Sequence, residues 1–200
     1  MKKLLCIALT LTLLLAGCGP RGAEDPEASA AAHTIQPLEL SEEEEALLNL
    51  VGGSDADYGL FDCAVGEGVA GCTIEVLSWQ DGAWTTLAEG GLSSLQSGSL
   101  RLGIVLSGDK ITVNFQDGGG GRYSYAPRLD GIDRTTGSGR AWTWLESTQA
   151  LTPGTRTPLY LEVYDSGDGV RAATLPDTFS DAGQLDSYAR AYAVAVTLEG

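Results

Sequence analysis

The sequence predicts an all-β chain, an antiparallel β-sandwich or jelly-roll-like domain of about nine strands with one short N-terminal helix. Three observations predict it. From residue 58 onward, apolar and polar residues alternate with a period of two, as on strands that bury one face. Turn signals separate these runs, in a chain that holds 27 glycines among 200 residues. A single early stretch spaces its apolar residues as a helix does.

The helix is expected at 42–51. Ser41 and Glu44 form a capping box ahead of Ala46, Leu47, Leu48 and Leu50, and Glu42 to Glu45 suit the positive end of a helix dipole. Gly52-Gly53-Ser54 ends it. Residues 58–65 read as a strand. So do 72–79, with Ile74 and Val76 on one face and Glu75, Leu77 and Trp79 on the other. Asp81-Gly82 is a hairpin turn signal, which returns the chain as 83–88 and brings Trp84 beside Trp79.

Residues 100–106 form the next strand, turned by Ser107-Gly108-Asp109. Ile111, Val113 and Phe115 mark the inward face of the one after. Beyond the glycines 118–121, Tyr123 and Tyr125 share a face of a short strand that Pro127 stops. Residues 129–139 are polar and turn-rich. Trp142 and Trp144 share a face of a strand ending near Ser147, and 151–158 is a proline-bearing connection. Leu159, Leu161 and Val163 alternate with Tyr160, Glu162 and Tyr164 before a turn at 165–169. A short helical turn is expected within 177–187. Tyr192, Val194, Val196 and Leu198 make the last strand.

The N-terminus has a different character. Met1-Lys2-Lys3 is a cationic start, and the apolar run from Leu4 spans about 13 residues, well short of the roughly 20 that cross a bilayer. These are the n- and h-regions of a secretory signal. Leu15-Ala16-Gly17-Cys18 follows, and it resembles the lipobox of bacterial lipoproteins. The resemblance implies that the Cys18 thiol receives a diacylglyceryl group and that cleavage makes Cys18 the new N-terminus. Two acyl chains give a stable anchor where one does not. The expected division is therefore a signal peptide at 1–17, a lipidated Cys18 with a disordered tether to residue 40, and one sandwich domain at 41–200. A polar tether of about 22 residues has a root-mean-square span of roughly 25 Å.

Charge narrows the function classes. The formal net charge is −15, and loss of Lys2 and Lys3 with the signal makes it −17, with Lys110 the one lysine left. Phosphate backbones and anionic head groups repel such a chain, so nucleic acid is not an expected partner. Four cysteines are present. Cys6 leaves with the signal and Cys18 carries lipid, so Cys63 and Cys72 remain as an even pair in an exported chain and are expected to form a disulfide. Its closed loop would stabilise by up to about 3 kcal/mol.

His33 is the single histidine, and the tether reading places it outside the domain. Histidine-based triads and metal sites are then not expected, and no phosphate-binding loop or dinucleotide fingerprint appears. Asp165-x-x-Asp168-Gly169 reads as a turn, and Asp55 with Asp57 as a helix-to-strand link, with calcium ligands the alternative in each case. Glu75 and Glu162 are the carboxylates placed in strands among aromatic residues, which by itself names no hydrolase. No cofactor and no enzyme activity are expected. The aromatic residues Trp79, Trp84, Trp142, Trp144, Tyr123 and Tyr125, with Tyr160 and Tyr164, are the candidate ligand-binding groups; the alternative is that they fill the core.

The strand-turn-strand run 74–84, with its Asp-Gly-Ala-Trp turn, is similar to segments of small uncharacterised lipoproteins of Gram-positive bacteria, a resemblance that implies no known activity. The expectation is a lipid-anchored protein on the outer face of a cell membrane with a non-catalytic binding or accessory role, toward an envelope protein or a glycan. A carbohydrate-active enzyme or glycan-binding module, and a purely structural surface domain, are the alternatives.

Overall fold

The computed structural model describes residues 33–52, 56–95, 98–107, 110–126, 139–165 and 171–200. The lipobox with Cys18, the tether to residue 32, Asp55, Gly108 and Asp109, the connection 129–138 and the turn residues 166–169 lie outside them. Strands β1 (Thr34–Pro37), β2 (Ala56–Val65), β5 (Gly98–Ser107), β6 (Lys110–Asp117), β7 (Arg122–Tyr125) and β9 (Gln149–Ala150) form sheet A, in the order β7-β6-β5-β2-β1-β9. Sheet B holds β3 (Gly71–Gln80), β4 (Ala83–Leu92), β8 (Arg140–Trp144), β10 (Thr157–Tyr164) and β11 (Arg190–Glu199), in the order β4-β3-β11-β10-β8. Every pairing is antiparallel. The architecture is the all-β sandwich.

Alternation decides which side chains face inward. Phe61, Ile74, Val76, Leu102, Ile104 and Val113 meet between the sheets, as the period-two pattern requires. Asp81 and Gly82 both have positive φ, 51° and 77°, the primed turn that Asp-Gly favours between twisted strands. Gly59 is a tight point of the core. A Cβ there would stand 2.3 Å from the Trp144 ring, so the indole occupies the space a side chain would need.

Two strands were too short to show alternation. β1 and β9 pair with each other, Ile35 opposite Gln149, and Ile35 is fully buried. This corrects the tether boundary: 34–37 belong to the sandwich. His33 also belongs to the domain, its Nδ1 accepting from the Gly66 N–H at 3.0 Å and its carbonyl from the Leu151 N–H at 2.8 Å.

The two outer faces differ. All eight residues of β10 are buried, because the segment 171–190 folds back over sheet B. It carries the short helices α2 (Asp177–Ser180) and α3 (Ala182–Leu185), the latter capped by Asp181 Oδ1 accepting from Gln184 N–H at 3.0 Å. Leu77, Leu161, Val163, Phe179, Leu185 and Tyr188 form this second apolar layer, and the alanines 191, 193 and 195 let it approach the sheet. Sheet A has no such cover among the described residues. Helix α1 (Glu42–Gly52) stands beside its outer face instead.

Candidate binding surface

The outer face of sheet A is made by the outward residues of β2, β5 and β6, and it has two halves. In one, Asp62 stands opposite Arg101, whose Nε and NH2 donate to the carboxylate at 2.7 and 3.2 Å. The side-chain bond to Asp62 raises the Arg101 pKa. Thr34, Gln36, Ser99 and Gln116 complete a polar trough of about 490 Å³ there. In the other half, Tyr58 pairs with Val105 and Leu60 with Gly103. With Leu48 and Val51 of α1 they line an apolar groove of about 460 Å³. Gly103 opens its floor, since any side chain at that position would press on Leu60, 3.2 Å from the Cβ.

Helix α1 forms the wall. Its start is the expected capping box: the Ser41 N–H and Oγ donate to Glu44 Oε2 at 2.9 and 2.8 Å. The Ser41 backbone N–H, with its hydroxyl, holds the Glu44 carboxyl below the usual carboxylate range. Tyr58 fastens the helix to the sheet, its hydroxyl donating to Leu48 O at 2.9 Å. Most surface helices turn their apolar stripe inward. Here Leu47, Leu50 and Val51 are 56, 80 and 85 % exposed. An apolar group of this kind beside an apolar groove marks an interaction surface more often than a solvated one.

The sequence-named aromatic rings do not gather on this surface or on any single face. Trp79 and Trp84 do meet across their hairpin, at 5.3 Å and 72°, and they serve the outer layer of sheet B. Trp84 stacks on Phe179 at 4.9 Å and donates to the Phe179 carbonyl, while Trp79 donates to Asp186. Trp144 packs on Phe61 and Tyr160, and Tyr125 stacks on Phe115 with its hydroxyl bonded to Ile74 O. Burial raises the Tyr125 pKa to about 12, with help from Glu75 and Glu89. Trp142 and Tyr123 are half exposed and lie on different sheets; Tyr123, on β7, lines the apolar groove.

Glu75 and Glu162 lie on opposite faces of sheet B. Glu75 stands on the outer face in a two-bond pair with Arg156, both contacts 2.7 Å, and accepts from Thr86 at 2.8 Å. The bond to Arg156 holds its carboxyl below the ordinary value, against burial. Glu162 is fully buried on the inner face, bonded by Arg140 Nε and by the Tyr164 hydroxyl at 2.6 Å. Burial opposes the Arg140 charge, but the Glu162 carboxylate raises its pKa overall. Arg140 also lies over the Trp142 ring at 4.5 Å and 3.9 Å from Asp57 on sheet A. Neither carboxylate faces the other across a cleft, so no two-carboxylate centre is formed by them.

The expected disulfide is absent, and Cys63 and Cys72 are buried free thiols. β2 and β3 follow one another in sequence but belong to facing sheets. Burial raises the thiol pKa values to about 12 for Cys63 and about 11 for Cys72, so both remain protonated.

Tyr58, Leu60, Gly103 and Val105 were not singled out from the sequence. The signal that marks them lies in α1, whose apolar run 46–51 exceeds what one side of an 11-residue helix can bury. Among the described residues no helix is long and apolar enough to cross a membrane, and no group of three or more His, Cys, Asp or Glu is placed to hold a metal ion. Comparison of the chain with family models, with curated proteins and with solved structures finds no match.

Proposed function

We propose that this chain is a lipid-anchored extracytoplasmic protein with a non-catalytic binding role at the cell envelope, exercised through the outer face of sheet A. The observation that carries the binding role is the asymmetry of the sandwich. One outer face is sealed by the protein's own 171–190 segment, and the other leaves an apolar groove and three apolar helix residues in solvent. Retaining such a surface costs solubility unless something covers it. The anchor rests on the lipobox-like Leu15-Ala16-Gly17-Cys18 and the cationic, apolar stretch before it. A protein partner suits the groove better than a glycan, because of the candidate rings only Tyr123 lines it, and its other lining residues are largely aliphatic or glycine on α1, β2 and β5.

The anchor is tested by expressing Cys18→Ala beside the wild type and separating membranes from soluble material. The variant is expected to leave the membrane fraction or to persist as the uncleaved precursor. Mature protein that stays membrane-bound without Cys18 would contradict the proposal. The binding role is tested separately, by pull-down from the native envelope with wild type and with Leu50→Glu. Envelope proteins retained equally by both would place binding elsewhere.

A further inference from the structure

We infer that the groove between α1 and sheet A is filled by a second copy of this chain, α1 of each copy lying on the other's sheet A with Leu47 and Leu50 over Leu60 and Val105 and with Glu43 toward Arg122. This rests on the reading of sheet A as the binding face, names the partner for it, and is independent of the lipid anchor.

The groove sets the terms. Its charged residues are Arg101 and Arg122 and no carboxylate lines it, in a chain with 27 acidic and 12 basic residues. Arg101 already holds Asp62 through Nε and NH2. Among the described residues no carboxylate pairs with Arg122. The register fixes where these charges stand. Arg101, Gln116 and Arg122 lie opposite one another across β5, β6 and β7, and Gly103, Asn114 and Ser124 form the next row. Leu60 continues that row on β2, and Tyr58 with Val105 makes a third. Along the strands the face therefore changes from apolar at Val105 to cationic at Arg101 and Arg122, over about 13 Å. It calls for an occupant that is apolar at one end and acidic at the other.

Helix α1 has that pattern. Glu43, Leu47 and Leu50 are spaced i, i+4 and i+7 and share one side. Leu48 and Val51 line the helix's own groove, whereas Leu47 and Leu50 are exposed and lie outside its lining. From Glu43 to Leu50 the helix rises about 10.5 Å, and the glutamate side chain spans the remainder. Helix and groove are neighbours on one face, so a two-fold axis seats each helix on the other copy's groove at once. Both apolar surfaces are then covered and the assembly closes as a dimer. A head-to-tail arrangement would leave one helix and one groove open. Glu43 gives Arg122 a counter-charge, and the net negative charge of the two chains is screened beyond about 8 Å at physiological salt.

The test uses the full chain in its native envelope, coexpressed as two forms with different tags. One carries Leu50→Cys and the other Val105→Cys. Mild oxidation should join them as a mixed dimer bearing both tags. The wild-type chain is the blank, since Cys63 and Cys72 are buried. Leu50→Cys with Leu87→Cys, on the edge strand of sheet B, should give no mixed dimer. Arg122→Glu in both forms should reduce the Leu50–Val105 yield at least about fivefold. Adding Glu43→Arg to both should restore it. Both positions are exposed, so the fold survives the changes. No mixed dimer, an equal yield with Leu87→Cys, or no rescue by Glu43→Arg would overturn the inference. So would a photo-adduct of Leu50 with another protein or with lipid in place of the second copy, an outcome that leaves sheet A as the binding face. If Leu50 gives no adduct of any kind, the reading of that face falls as well. None of these outcomes depends on the Cys18→Ala result.

Discussion

Replacing Arg140 by Met should destabilise this protein far more than the loss of a surface ion pair. Glu162 is fully buried on the inner face of β10, between Trp142 on β8 and Tyr192 on β11 in the sheet register. Its Oε1 accepts from Arg140 and from the Tyr164 hydroxyl. Methionine keeps much of the arginine stem but removes the Arg140 charge from beside a carboxylate buried in the sandwich interior. Breaking a buried pair in this way costs about 3–5 kcal/mol, whereas an exposed pair contributes about 0–1 kcal/mol. For a domain of this length that corresponds to a fall in Tm of about 6–20 °C. The double variant Arg140→Met with Glu162→Leu should recover most of the loss, since an apolar pair of similar volume needs no desolvation of charge. Urea unfolding followed by tryptophan fluorescence measures all three chains. A single-variant cost below about 1 kcal/mol, or a double variant no better than the single one, would refute the reasoning.

The thiols predict an alkaline transition. A thiol ionises near 9.0 in the unfolded chain, but near 12 at Cys63 and near 11 at Cys72 in the folded one. The folded state holds its protons longer, so this contribution is complete below pH 9 and is lost as pH rises from 9 toward 11–12. The stability gap between wild type and Cys63→Ala/Cys72→Ala, measured from pH 8 to 10.5, should shrink with pH; a gap that stays constant would contradict the burial. Gly59→Ala would drive a methyl group into the Trp144 ring, 2.3 Å from the new Cβ. It should cost at least about 1–3 kcal/mol and shift the tryptophan emission, and a neutral result would show that β8 packs differently. Trp84→Ala removes the ring stacked on Phe179, at a cost of about 3–5 kcal/mol if the whole layer is lost. Limited proteolysis should then cut first within 171–190, and unchanged resistance there would argue against a role for Trp84 in holding the cover.

The strands that carry the core were legible because alternation is a strong signal wherever one face is buried. Ile74 and Val76 inward with Glu75, Leu77 and Trp79 outward is the arrangement found on β3. The Asp81-Gly82 turn and the Ser41–Glu44 cap were equally local and equally readable. What escaped was non-local. Alternation places Trp79 and Trp84 on one face but cannot say that residues 171–190 return to cover it. Cysteine spacing suggests a bridge but does not show whether the two sulfurs meet in the folded core, where Cys63 and Cys72 are free. A four-residue strand such as β1 shows no period at all, which left His33 and Ile35 on the wrong side of the domain boundary. The candidate surface escaped for the same reason, since Tyr58, Leu60 and Val105 look like ordinary strand residues until the sheet they share is seen to lack a cover.

Site-specific photo-crosslinking in the native envelope tests the central claim most directly. A photoreactive residue at Leu50, on α1, should give one discrete adduct. The same residue at Leu87, which is 42 % exposed on the edge strand of sheet B, should give none. The same adducts from both positions, or no adduct at Leu50, would contradict the assignment of the outer face of sheet A as the surface through which this protein works.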